Sequence, residues 1–206
     1  MKFFIYFCTL NRDKSNKKTK NESIMKKLIS LLVLITAMAM SAAAQQHITF
    51  MKTPLTGTVK NFVSKMEYKG FEVDTRFDDG NVMMRGTFTN RDIELFIFGT
   101  PQTHTVYKVV VYYPKQKTWP KLKADYFDVK ALYDRKYDLS NEYDFFADPY
   151  NEGDGDEMDG VENDKCRYAS FYNAPGGMIA VQVSSFFQVK VTYEDEININ
   201  LRDSEK

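Results

Sequence analysis

Along residues 45–206 the spacing of apolar positions switches between a helical and an extended period, and the cycle runs twice. Val59, Phe62, Val63 and Met66 fall at i, i+3, i+4 and i+7, one face of an amphipathic helix. The pattern predicts a helix over 54–69, with Thr58 as N-cap and Gly70 as the left-handed residue that stops it. Phe71-Glu72-Val73 then begins an extended segment, and Asp78-Asp79-Gly80-Asn81 is a turn. Residues 82–89, 93–99 and 106–113 read as strands, because β-branched and aromatic side chains concentrate there. Residues 90–92 make a tight connection and 101–105 a longer one.

Pro114 closes this run, and Trp119-Pro120 opens a second helix, where proline suits the first turn. Leu122, Tyr126, Val129, Leu132 or Tyr133, and Tyr137 continue one face. Residues 138–164 read as an acidic, Gly-containing connection. Strands are predicted at 165–172, 178–186 and 189–193, with a turn at 173–177 between the first two. The tail from Asn198 is polar and is expected to fray.

The order helix, strands, helix, strands gives an α+β fold. One helix on a short meander buries little core, whereas two such units side by side make one larger antiparallel sheet with both helices on one face. The predicted fold is therefore two tandem helix-plus-antiparallel-meander repeats forming a single domain at 45–206, repeat one at about 50–114 and repeat two at about 118–196. The halves are locally alike: "NVMMRGTFTNRDIELFIF" from Asn81 parallels "NDKCRYASFYNAPGGMIAVQV" from Asn163, and "VYKVVVYYP" from Val106 parallels "FQVKVTYED" from Phe187. This layout resembles the tandem helix-plus-meander repeats of secreted β-lactamase-inhibitor-like proteins and of the smaller outer-membrane assembly lipoproteins. The stretch "HITFMKTPLTGTVKNFVSKMEYKGF", with "VYKVVVYYP" and "KVTYED", also resembles small uncharacterised secreted proteins of Bacteroides-type bacteria. The first resemblance implies an architecture and the second a secreted protein. Neither supplies an activity or a binding residue.

Upstream of this domain the chain carries an export signal that does not begin at residue 1. Met25-Lys26-Lys27 is a basic n-region, residues 28–40 are an apolar h-region, and Ser41-Ala42-Ala43-Ala44 is a small-residue cleavage site. Residues 25–44 read as a signal peptide, with Gln45 as the mature N-terminus, and residues 1–24 as upstream leader outside the native protein. The h-region is too short for a transmembrane helix, so no stable membrane span is expected after cleavage. The expected location is periplasmic or secreted.

Removing the leader changes the charge. Residues 45–206 hold 20 basic and 26 acidic side chains, a net of −6, and the imbalance is concentrated after residue 140, where 5 basic face 15 acidic. An acidic domain is a poor nucleic-acid binder. Cys166 is the one cysteine of the mature chain, so no intramolecular disulfide is expected. It reads as a small sheet residue beside Lys165 and Arg167.

Catalytic motifs are missing from the sequence. His47 and His104 are the only histidines, and there is no G-x-S-x-G, P-loop, G-x-G-x-x-G or H-E-x-x-H pattern to pair with them. No catalytic residue and no cofactor is assigned. Ten Asp or Glu lie between Glu142 and Asp164, and "DGDEMDG" at 154–160 approaches a calcium loop. Asp154, Asp156 and Asp159 are weak metal candidates there, but Met158 stands at the fifth position and Gly160 comes one place late. A solvated, mobile loop is the expected reading. The sheet offers a better lead. Strand alternation puts Ile93, Leu95 and Ile97 on one side, and Phe96 and Phe98 on the other with Val110 and Tyr112. The aliphatic set suits the helix-covered face. In the second half the open-face positions Gln182, Ser184, Lys190 and Thr192 are polar. Phe96, Phe98, Val110 and Tyr112 are therefore the candidate binding surface. The expected function is non-enzymatic binding of a protein or small ligand in the cell envelope through the sheet. The alternatives are a calcium-dependent or structural envelope protein acting through the acidic loop, and a hydrolase with an unrecognised site.

Overall fold

In the computed structural model, which describes residues 46–206, Thr58 caps the first helix by accepting a hydrogen bond from Asn61 N (3.3 Å). This helix, α1 (Val59–Glu67), buries Val59, Phe62, Val63 and Met66, and Gly70 follows it at φ 90°. It starts later than its apolar pattern predicts, because Thr53–Pro54 (β2) pairs with Thr49–Phe50 (β1) in a small hairpin. The segments 1–24 and 25–44, and with them the leader and signal-peptide readings, lie outside the described residues.

Four strands follow α1: β3 (Glu72–Arg76), β4 (Val82–Phe88), β5 (Arg91–Gly99) and β6 (Val106–Tyr112). Thr89 and Asn90, both at positive φ, turn β4 into β5. The second helix, α2 (Trp119–Asp134), buries Trp119, Leu122, Tyr126, Val129 and Tyr133. Of the two alternatives at the end of this face, Tyr133 is the inward residue, four positions after Val129, and Leu132 is exposed.

The predicted acidic connection at 138–164 is not one loop. Asp138–Phe146 is a nine-residue strand (β7), and Glu157–Glu162 is a short helix (α3). The strands β8 (Cys166–Ala174), β9 (Gly177–Ser184) and β10 (Gln188–Asp195) complete the sheet. The tail does not fray either. Residues Glu196–Ser204 form α4, capped by Asp195, and buried Asn198 donates to Leu55 O (2.7 Å) and Val106 O (2.8 Å). A side-chain amide reaching across to two carbonyls leaves no trace in a hydrophobic pattern.

All eight strands of the main sheet pair antiparallel in the order β3-β4-β5-β6-β10-β9-β8-β7. The chain leaves β6 through α2, crosses to the far edge at β7, and works back until β10 lies beside β6. Each half thus runs one helix and then four strands, one strand more in the second half than the sequence pattern predicts. The register places Met84, Leu95, Val111, Val191, Val181 and Ser170 in one row across the sheet. The first five join α1 and α2 in a single hydrophobic core.

Candidate functional site

Opposite-facing positions of β5 and β6 meet on the face that α1 and α2 leave open. Phe96 lies across from Val110, and Glu94 across from Tyr112. The ring centroids of Phe96 and Tyr112 are 5.4 Å apart in an edge-to-face pair, and those of Phe96 and Phe98 are 6.5 Å apart and nearly parallel. Phe77 adds a third near-parallel ring, 6.3 Å from Phe96. Edge-to-face and offset stacked pairs suit the aromatic quadrupole. The structure therefore brings Phe96, Phe98 and Tyr112 together. Val110 is only 7% exposed, so it forms the floor of the patch and offers little surface of its own.

Phe77 is held in place by its turn. Its amide donates to Asn81 O (3.0 Å), Asn81 Nδ2 donates to Asp79 Oδ2 (2.7 Å), and Asn81 Oδ1 accepts from Gly99 N (3.0 Å). The Asp-Asp-Gly-Asn turn thus fastens to the end of β5 and sets the phenyl ring beside Phe96. Phe186 enters from the β9–β10 turn and is exposed. Turns have no periodicity, so alternation could not find Phe77 or Phe186; the only signal is a large apolar residue beside a turn.

These rings border a depression of about 530 Å³ lined by Phe77, Phe96, Phe98, Tyr112 and Phe186, with Glu94, Lys115 and Gln188 among its polar groups. A second depression of about 610 Å³ adjoins it through Glu94, Tyr112, Lys115 and Gln188, and is lined further by Arg85 and Asp92. Volumes of this order are ordinary for small-molecule pockets. The electrostatics are mixed. Arg85 pairs with Asp74 (3.3 Å) and more loosely with Glu94 (3.8 Å). Lys108 Nζ sits 4.7 Å from the centre of the Phe98 ring, a cation–π contact. Burial, assisted by the Glu94 carboxylate, holds the Tyr112 hydroxyl above its ordinary pKa, so it remains a hydrogen-bond donor well past neutral pH.

Next to this groove the second half of the sheet is polar, as its pattern predicts. Lys190 lies directly across from Tyr112 on one side and Gln182 on the other. At the far edge, however, Tyr143 meets Phe171 (6.3 Å) and Phe145 (6.4 Å), a smaller aromatic group that the sequence reading did not include.

The other sequence candidates are not gathered into a site. Asp154 accepts from Asn151 N (2.6 Å) and Asp156 N (2.9 Å), so its carboxylate organises the turn in which it sits. Among the described residues no group of three or more His, Cys, Asp or Glu side chains is placed to hold a metal ion. Glu152 anchors the acidic segment to the core: it accepts from Tyr168 OH (2.7 Å) and Trp119 Nε1 (3.3 Å) and pairs with Lys123. Cys166 is buried, and burial pushes its thiol up to about 12, the opposite of what a reactive thiolate requires.

His47 Nδ1 lies 3.0 Å from both oxygens of Asp195, a fully buried carboxylate that also accepts from Ile48 N and Asn198 N at 3.0 Å. This is an imidazole–carboxylate pair, but among the described residues no hydroxyl or thiol hydrogen-bonds to His47 or to His104, and neither lines the depressions above. The pair ties the N-terminal segment to the cap of α4. Comparison with known protein families, curated proteins and solved structures finds no match.

Proposed function

We propose that this is an exported binding protein that takes its ligand on the open face of the sheet. The observation that carries the reading is the stacked group Phe77–Phe96–Phe98 with Tyr112 set edge-on, bordering a depression of about 530 Å³ on the side away from the helices. Aromatic side chains left uncovered in a concave site are the usual anchors of recognition. Export rests on the n-region, h-region and cleavage-site order at 25–44. N-terminal sequencing of exported protein, expected to begin at Gln45, tests it. The shared order of elements in the two halves supports descent from one duplicated unit.

The binding test maps small-molecule fragments onto the mature chain by amide chemical-shift changes. Shifts should centre on β5, β6 and the 77–81 turn, and should vanish in the double variant Phe96→Ser/Tyr112→Ser. Both rings are half-exposed, so the double variant should retain its cooperative unfolding. Fragments that shift the helix-covered side instead, or that bind the double variant unchanged, would sink the reading.

A further inference from the structure

Lys190 is a half-buried cation of the central strands and, unlike Lys108, which lies over the Phe98 and Tyr107 rings, it has no aromatic partner among the described residues. It projects from β10 between Tyr112 and Gln182. Among the described residues its ammonium makes no ion pair and no side-chain hydrogen bond. The charges that act on it do not neutralise it: Asp164 is engaged with Arg167 (3.4 Å), and Lys108, on the neighbouring strand, adds repulsion. Burial and Lys108 together push the Lys190 pKa below its ordinary value, with Asp164 opposing. The domain as a whole is acidic, so an unneutralised cation here is a local arrangement and does not follow from composition.

The position has a cavity. A pocket of about 140 Å³ is lined by Lys190, Arg167, Gln182, Ser184, Tyr112 and Phe186. Tyr112 and Phe186 also line the aromatic depression, so the two spaces are neighbours with a common wall. One is walled mainly by stacked rings; the other presents the Lys190 ammonium, the Gln182 amide and the Arg167 guanidinium, whose partner Asp164 also lines it and takes up one of its two positive charges. Lys190 and Phe96 stand two strands and two residues apart, about 12 Å at ordinary strand spacing.

Building on the binding role proposed above, we infer that the ligand is a small amphipathic carboxylate, its aromatic or alkyl body lying on Phe96 and Phe77 and its carboxylate on Lys190. The apolar body uses the surface that the rings expose, and the carboxylate supplies the counter-ion that Lys190 lacks. Charge-assisted hydrogen bonds are the stronger ones, and a half-desolvated ammonium gains more from an anion than a solvated one does. Glu94, which would repel an anion, lies on the far side of Tyr112 and faces Arg85.

The probes are 4-phenylbutyrate and its uncharged analogue 4-phenylbutan-1-ol, titrated into the mature chain by calorimetry or amide shifts. The acid should bind at least about tenfold more tightly than the alcohol, the scale of one charged hydrogen bond, and the advantage should shrink with added salt. Lys190→Met should erase the preference and leave alcohol binding unchanged, while Lys121→Met, at an exposed position of α2 away from both depressions, should preserve it. Phe96→Ser should weaken both probes. Equal binding of acid and alcohol, with both lost in Phe96→Ser, would overturn the carboxylate assignment and leave the open-face reading standing. Absence of binding by either probe, or binding indifferent to both Lys190→Met and Phe96→Ser, would overturn the inference outright.

Discussion

Beneath α1 the contact between helix and sheet is dry, whereas beneath α2 it is threaded with hydroxyl groups. On the first side Val59, Phe62, Val63 and Met66 meet a sheet face of Met84, Leu95 and Ile97. On the second side Tyr126 OH meets Ser170 Oγ (2.7 Å), Tyr133 OH meets Tyr193 OH (2.5 Å), and Tyr172 OH donates to Asp134 (2.8 Å). Lys130 bridges Asp134 (2.9 Å) and Glu142 (3.3 Å) at the rim. The open face reverses this contrast near the centre of the sheet, aromatic in the first half and polar at Gln182 and Lys190 in the second. The same order of elements is therefore packed by two chemistries. Apolar packing tolerates small shifts of a helix, whereas a hydroxyl network stabilises only the arrangement in which every member has a partner. The difference predicts that the two halves fail in different ways.

The largest effect belongs to the dry half. Phe62 is fully buried, and Phe62→Ala should cost about 3–5 kcal/mol by denaturant unfolding, since the cavity is walled by a helix and a sheet that cannot both relax into it. A cost near 1 kcal/mol would mean that this interface is looser than the packing shows.

Alkaline pH should select the second half. Burial raises the hydroxyl pKa of Tyr126 to about 12, and raises those of Tyr133, Tyr168, Tyr172 and Tyr193 as well. A phenol whose folded pKa lies above its unfolded value of about 10 stays neutral in the fold while the unfolded chain ionises. Its contribution is complete below pH 10 and is lost as pH rises through the folded pKa. The unfolding midpoint should hold to about pH 10 and fall steeply toward pH 12. Hydrogen exchange in that window should open β8, β9 and α2 before α1 and β4. Simultaneous opening would show that the two helix–sheet contacts are one cooperative unit.

A smaller effect comes from exchanging the two chemistries. Tyr126→Phe removes one hydroxyl and leaves Ser170 Oγ with Glu142 at 3.4 Å, so the loss should be about 1 kcal/mol. Phe62→Tyr forces a hydroxyl into a site with no partner and should cost more, about 1–3 kcal/mol. If the order of these two is inverted, the dry and hydroxyl-bonded description of the halves is wrong.

The elements that were legible in the sequence are those with one buried and one exposed face. The α1 stripe, the aliphatic rows of β5 and β6, and the Phe96, Phe98, Tyr112 set all belong to that class. β7 was not legible because eight of its nine positions are exposed: an edge strand lying among acids has no buried row to alternate with. α4 was missed because buried Asn198 and the Asp195 cap hold it, and both read as polar tail. Phe77 and Phe186 reach the groove from turns, where spacing carries no information. Lys190 was visible only as one polar residue among several; its unpaired ammonium is a property of the assembled sheet.

The smallest expected effect concerns the element that most distinguishes the halves in length. β3 reaches β4 through the short 77–81 turn, whereas β7 reaches β8 through a long acidic passage containing α3. Eight carboxylates there suggest a cation, but Asp154 is turned onto backbone amides, Glu152 is drawn toward Trp119, Tyr168 and Lys123, and Gly153 N donates to Glu157 (2.8 Å). Carboxylates already engaged with the chain or spread along it do not converge on a point. A ligand stabilises a fold according to its concentration relative to its dissociation constant. Melting curves with chelator and with millimolar calcium should therefore superimpose. An upward shift of several degrees with calcium, absent in Asp154→Asn, would show that this passage is a metal site. The functional contrast between the halves would then move from the open face to the acidic edge.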